Sequence, residues 1–209
     1  MSVTADKAPL EGGLVFDLVE RTLLLALSSW TIFRLAPKIL NQPHISLLLV
    51  SELLCVILIL LRRPAQRIDV TPYAALVAFF GTAAPLLVVA PGGALLQSGL
   101  GYGMMIAGLL LNISAKLALN RSFGLTAANR GVKRAGPYRL LRHPMYAGYV
   151  LTQFTFLLLN PCLWNLCIYV ASWSAQLLRI HAEERILLQD QAYQAYAAKV
   201  RFRLIPGIY

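Results

Sequence analysis

Acidic residues are scarce in this chain, nine against nineteen lysines and arginines, for a formal charge of +10. Charged residues of both signs make up only 13%, well below the roughly 25% of soluble domains. With 58% hydrophobic residues beside them, the chain lacks the makings of a fully water-facing surface and has a membrane composition. Cysteines are few: Cys55, Cys162 and Cys167 all fall in apolar segments, without a pairing framework or metal-ligand spacing, and read as packing residues. A GxSxG elbow, an HExxH helix and a P-loop are all missing, which removes the chemistries those motifs build. The GLGYG stretch, Gly99 to Gly103, has no strand before it and runs into an apolar segment. Gly99, Gly103 and Gly108 are therefore expected to permit helix packing rather than cradle a dinucleotide. Internal repeats and low-complexity tracts are absent. A cleavable leader is not expected either, because Met1 to Gly13 is polar and mixed and the apolar run after it contains Asp17, Glu20 and Arg21.

Apolar runs are what the sequence has in quantity. A helix satisfies its own backbone groups in hydrocarbon and needs about 20 residues to cross it. Candidate helices run from Gly13 to Ala36, Ile45 to Leu61, Pro72 to Val89 and Gly99 to Leu119. A fifth and sixth come from Met145 to Leu178, divided at Asn160-Pro161 into a hairpin. The predicted fold class is all-α: a polytopic transmembrane helical protein with about six membrane helices, or five if one segment is re-entrant or the hairpin counts as one unit. A cytoplasmic C-terminal helix from Ser174 to Lys199 follows from the Ala, Glu, Leu and Gln content there.

Charge position sets the expected topology. Six lysines and arginines and no acid lie between Arg121 and Arg142, and Arg62, Arg63 and Arg67 form a second cluster. Such clusters beside apolar runs mark the cytoplasmic side and attraction to anionic lipid, and no separate basic module exists for nucleic acid. Arg34 and Lys38 dissent mildly. Glu20 and Arg21 are expected at the interface, where long side chains reach water. Glu52 must pair, protonate or face a polar cavity. Lys116, Asn120 and Arg121 are expected to line a cytoplasmic cavity with the basic loop. His44 and His181 read as interface histidines, and HAEE supplies one His with two adjacent carboxylates expected on different helix faces, so no metal site is expected.

The densest stretch is RLLRHPMYAGY, Arg139 to Tyr149. A positive anchor, with Pro144 in the first helical turn and Tyr146 and Tyr149 as an aromatic belt, accounts for part of it. It leaves His143 and Gly148 unexplained, as well as the polar helix carrying Glu183, Glu184, Tyr193 and Tyr196. The residues alone divide evenly between an anchor and a site.

The text GPYRLLRHPMYAGY (Gly136 to Tyr149), EERIL (Glu183 to Leu187), YQAY (Tyr193 to Tyr196) and RLIPGIY (Arg203 to Tyr209) resembles the isoprenylcysteine carboxyl methyltransferase family and its bacterial relatives. That superfamily is similar to phospholipid N-methyltransferases, and the resemblance covers Ala118 to Tyr209. It implies N-terminal transmembrane helices over 1–119 and a catalytic region over 120–209. The implied activity is S-adenosylmethionine-dependent methylation of a hydrophobic or lipid-like acceptor, with a carboxylate as the first expectation and a phospholipid or lipid amine as the alternative. A non-catalytic transporter or scaffold is the rival outside the resemblance.

Carried over by residue, the resemblance implies that Tyr138, Arg142, His143, Pro144, Tyr146, Gly148, Glu183, Glu184 and Tyr196 enclose the cofactor, and that Arg142, Glu184 and Arg203 serve catalysis. Arg142 or His143 would hold the cofactor carboxylate, Glu183 or Glu184 would accept from its ribose or amino group, and the Tyr146 ring would pack on sugar or base. Gly148 would allow close approach. Relatives usually have Phe-Gly before YxxY, with slightly longer spacing; here Gln191-Ala192 precedes Tyr193. The expected partners are a lipid acceptor and membrane lipids, without metal or nucleic acid. The expected location is a bacterial inner membrane, with the site and both termini cytoplasmic.

Overall fold

The structure is a computed structural model that describes residues 11–38, 45–61, 67–68, 71–91, 93–124, 128–129 and 131–209. His44, Arg62, Arg63 and the segment before Glu11 lie outside the described residues. Seven helices run in chain order: α1 Glu11–Leu35, α2 Ile45–Leu61, α3 Pro72–Ala83, α4 Ser98–Leu119, α5 Pro144–Leu159, α6 Leu163–Leu187 and α7 Gln191–Lys199. One short antiparallel pairing, Arg67–Ile68 with Ala128–Asn129, joins the two connections that carry the basic clusters.

Local chemistry sets the boundaries. Thr71 caps α3 through its side-chain oxygen, with Pro72 at the first helical position, where its missing N–H costs nothing. Asn160-Pro161 breaks the long apolar stretch, since proline cannot continue the α5 hydrogen-bond ladder. The side chain of Asn165 then locks the corner, donating to the carbonyls of Val89 at 2.8 Å and Asn160 at 2.9 Å and accepting from the Val89 N–H at 3.0 Å.

The C-terminal helix predicted from Ser174 to Lys199 is two helices. A turn at Leu188–Asp190 divides it, and the Asp190 carboxylate restarts α7 by accepting from the Ala192 N–H at 2.8 Å. An Asp at an N-cap satisfies a donor that a continuous helix would pair with its own backbone.

The membrane architecture is corrected more deeply. Six, or five, membrane-crossing helices with a separate cytoplasmic helix are not what the described residues form. Among them, only the helical stretch Ser98–Ser122, 25 residues long, is both long and apolar enough to cross a membrane. Leu48–Leu61, Pro72–Leu87 and Pro144–Leu159 are apolar but short. The longer α1 carries Asp17, Glu20, Arg21 and Arg34, and α6 is diluted by Asn165, Ser172, Gln176 and Arg179. Apolar content was spread over more helices than length allows to span, and the topology built on six spans falls with it.

Helix α4 packs most extensively against α5, and further contacts pair α1 with α2, α3 with α6, and α2 with α4. Of the three glycines expected to allow packing, Gly108 does so, while Gly99 and Gly103 face open space; Gly101, against Leu159, is the second close contact on α4. The buried core gathers Leu24, Leu58, Ile59, Ala115, Met145 and Ile180, drawn from α1, α2, α4, α5 and α6. Glu20, expected at the interface, is buried, and Arg21 pairs with Asp17 at 2.7 Å. Lys116 does not line a cavity with the basic loop. Its ammonium is fully buried, donating to Ser51 Oγ at 2.7 Å, while Ser51 donates to Asn112 Oδ1 at 3.2 Å and Asn112 Nδ2 donates to the Met145 carbonyl at 3.1 Å. That chain of bonds joins α2, α4 and α5. Arg121 turns to the Leu61 carbonyl at 2.8 Å, and Asn120 ends α4 with positive φ.

Candidate active site

His143 occupies the corner before α5, and two backbone bonds hold that corner. The Arg142 N–H donates to the Phe202 carbonyl at 2.9 Å and the His143 N–H to the Arg203 carbonyl at 2.8 Å. The C-terminal RLIPGIY segment is thus a clip across the start of α5. Gly207, at φ +84°, turns it back, and the Tyr209 backbone oxygen accepts from the N–H groups of Arg203, Leu204 and Ile205.

Glu183 and Glu184 are adjacent on α6, yet both reach the same imidazole, contrary to the expectation that they face apart. His143 Nε2 lies 2.8 Å from Glu184 Oε1, and Nδ1 lies 3.4 Å from Glu183 Oε2. An ionised carboxylate only accepts, so both ring nitrogens must carry protons and the ring is an imidazolium. Burial by itself pushes this imidazole down, but its hydrogen bonds to Glu183 and Glu184 outweigh that and raise its pKa above the ordinary value. Burial likewise pushes Glu184 up, and the bonds it accepts from His143 and Tyr193, with the nearby charges of His143 and Arg142, bring it down to about 2. Glu183 is lowered for similar reasons, burial opposing and His143 prevailing.

Further groups complete the cluster. Arg142 Nη1 donates to Glu184 Oε2 at 2.5 Å, Tyr193 donates to Glu184 Oε1 at 2.6 Å, and the Tyr146 hydroxyl donates to Glu183. Arg203 approaches Glu184 at 3.6 Å, and its guanidinium lies over the Tyr209 ring. Tyr196 donates to the Tyr138 carbonyl at 2.7 Å, tying α7 to the GPYR turn. Removing that hydroxyl with Tyr196→Phe leaves a buried carbonyl with one donor fewer and is expected to cost about 1–2 kcal/mol, read as a lowered denaturation midpoint.

A pocket of about 90 Å³ opens over this cluster. Tyr138, Arg142, His143, Tyr146, Glu183 and Tyr196 line it, so six of the nine residues implied for cofactor contact face one space. The remaining three do not line it. Pro144 is buried behind His143, Glu184 sits beneath the histidine, and Gly148 lies in the α4–α5 contact, where a Cβ would stand 2.7 Å from the Gly108 carbonyl oxygen. Tyr193, Leu119 and Lys133 line the pocket as well. Tyr193 could be suspected from its three-residue spacing to Tyr196, while Leu119 and Lys133 carry no local signal.

A second cavity, of about 320 Å³, is mostly apolar and bounded by residues of α1 to α6, among them Leu24, Leu109 and Phe156. It shares Gly124 and Met145 with the first pocket.

Helices α4, α5 and α6 and the connection between α4 and α5 contribute to the walls of these spaces, and this is the part of the chain that known sequences identify. Residues 96–195 match the phospholipid methyltransferase family. The chain carries a phospholipid methyltransferase domain, and with it S-adenosylmethionine-dependent methyltransferase activity. The match is broader than the isoprenylcysteine carboxyl methyltransferase family that the C-terminal text resembles, and it ends before Tyr196 and Arg203. A comparison with curated proteins gives no match. The residues of the first pocket suit S-adenosylmethionine chemically. Arg142 Nε is buried without a hydrogen-bond partner among the described residues, a donor left over for a carboxylate. Beside it stand a carboxylate, Glu183, for hydroxyl or ammonium groups and the aromatic walls Tyr138 and Tyr196.

Proposed function

We propose that this methyltransferase transfers the methyl group of S-adenosylmethionine to the head-group amine of a lipid, in the pocket over His143, Glu183 and Glu184. The observation that carries the reading is the junction of two unlike spaces: a polar pocket suited to a charged cofactor, and an apolar cavity suited to a lipid, sharing Gly124 and Met145. The phospholipid methyltransferase domain supports an amine over a carboxylate.

S-adenosylmethionine, when bound, supplies an already activated methyl group, so no covalent protein nucleophile is required. Arg142 offers its free Nε–H to the cofactor carboxylate, and Glu183 accepts from a hydroxyl or ammonium group. The imidazolium of His143 holds both glutamates in place, and Arg142 with Tyr193 completes the partners of Glu184. Tyr138, Tyr196 and Leu119 exclude water from the pocket wall. The main catalytic contribution is alignment of acceptor and methyl. An amine reacts as the free base, and the apolar cavity disfavours its ammonium form by desolvation.

In this reading the cofactor pocket is drawn from Leu119 and residues after it, while the lipid cavity is lined by residues of α1 to α6 from both 1–119 and 120–209. The protein works at a membrane, with its cofactor pocket facing the cytoplasm of a bacterial cell, where the soluble cofactor enters and the lipid arrives laterally. Exposed Leu100, Leu110, Leu117 and Leu163 suit contact with lipid. A carboxylate acceptor is the second reading, favoured by the resemblance of Gly136 to Tyr149.

Purified protein incubated with methyl-labelled S-adenosylmethionine and an ethanolamine phospholipid is expected to yield base-stable N-methyl product. Base-labile product from total lipid would instead establish ester formation. In calorimetry with S-adenosylhomocysteine, Arg142→Met is expected to weaken binding at least about tenfold. Unchanged affinity in a folded variant would remove Arg142 from the cofactor site.

A further inference from the structure

Arg179 was not among the residues singled out by sequence, and it stands where the two spaces meet. It projects from α6 one turn before Glu183, is only 8% exposed, and lines the apolar cavity. Its guanidinium carbon lies 5.2 Å from the centre of the Tyr146 ring, and Tyr146 lines the other pocket. Nη1 donates to Thr82 Oγ1 at 3.4 Å, tying the side chain to α3. Gly81 of α3 packs beside it, and a Cβ there would stand in ordinary contact with Arg179 Cδ at 3.6 Å.

The other ionisable groups on the cavity wall differ in kind. Arg34 is exposed, stacked on Trp30 and bonded to the Leu86 carbonyl. Glu52 comes from α2, beside the Ser51 that receives the Lys116 ammonium. Tyr149 carries that ammonium over its ring. Of the two arginines on the cavity wall, Arg179 is therefore the buried one, and its guanidinium lies against Tyr146. In a low-dielectric wall, a planar guanidinium favours an oxyanion by charge-assisted hydrogen bonds.

We infer that Arg179 binds an anionic oxygen group of the acceptor, a phosphate or a carboxylate, and so holds the lipid with its tail in the cavity and its head toward the methyl donor. This rests on reading the second cavity as the acceptor site, but not on which atom is methylated. A neutral lipid of the same length would lack this anchor and bind more weakly.

The test measures equilibrium binding of dodecyl phosphate, dodecanoate and dodecanol to the full chain in non-ionic detergent, without methyl donor. At least one anion is expected to bind about tenfold tighter than the alcohol; the tighter of the two tells phosphate from carboxylate. Arg179→Met is expected to erase the preference and Arg179→Lys to keep part of it, with retained S-adenosylhomocysteine binding showing that each variant is folded. Equal binding of all three ligands to the unaltered protein overturns the inference, as does a preference that survives in Arg179→Met. If Arg179→Met fails to fold, Arg179→Lys decides, because an undiminished preference with its altered donor geometry refutes a guanidinium site. Because no turnover is involved, the result stands whether the methylated product is an amine, an ester or neither, and failure of the proposed reaction shows separately in the labelled-lipid assay.

Discussion

Glu184→Ala is expected to destabilise the protein by about 3–5 kcal/mol, the penalty for stranding buried charges, and to abolish methyl transfer. Glu184 receives the His143 imidazole, the Arg142 guanidinium and the Tyr193 hydroxyl. Its removal leaves two buried cations short of a counter-charge and frees the loop that α7 and the C-terminal clip hold in place. Thermal unfolding in detergent reads the first effect and label transfer the second. The pH dependence has two limbs of opposite sign. Glu184 ionises near 2 in the folded state against 4.5 ordinarily, so its contribution is complete above about pH 4.5 and disappears as pH falls toward 2. His143 is raised above 6.5, so its contribution is complete below pH 6.5 and disappears as pH rises through the folded value. Glu184→Gln is expected to flatten both limbs. An unaltered alkaline limb in that variant would show that His143 does not depend on Glu184.

Gly148→Val is expected to separate α4 from α5 and cost at least about 1–3 kcal/mol, the range for overpacking a filled contact. A Cβ at Gly148 would meet the Gly108 carbonyl oxygen at 2.7 Å, the Asn112 N at 2.8 Å and the Asn112 Cβ at 2.9 Å. Two of these are backbone atoms inside a helix, so relief requires moving the helix. The displacement would also break the bond from Asn112 to the Met145 carbonyl, at the residue both spaces share. Gly103→Ala is the matched control. Open space surrounds Gly103, and the exchange removes a poor helix former at a gain of up to about 1 kcal/mol. Chemical denaturation of the two variants in parallel checks both; comparable stability would show that the α4–α5 approach tolerates a side chain.

Helix positions were legible because apolar runs, proline and helix caps are local signals. Ile45–Leu61 was read to the residue, and the Asn160-Pro161 break separates α5 from α6 as expected. The number of membrane-crossing helices was not legible. Apolar length alone does not distinguish a spanning helix from a short one covered by its neighbours, nor from a long one interrupted by Gln176 and Arg179. Gly148 illustrates the same limit at one residue. Its place beside RHPMY suggested approach to a ligand, whereas the close approach it permits is to the backbone of α4.

By itself, the sequence determined that the chain is helical and which of its segments carry a methyltransferase signature, since composition, periodicity and motif order need no partner. It also brought forward the polar residues from Tyr138 to Tyr146 and from Glu183 to Tyr196. Tertiary structure decided that two adjacent glutamates share one imidazolium, that Lys116 is a buried strut, and that Arg179 stands between two spaces. Each of these depends on the approach of side chains 33 to 65 positions apart in the chain, and their electrostatics depend on burial that only packing creates.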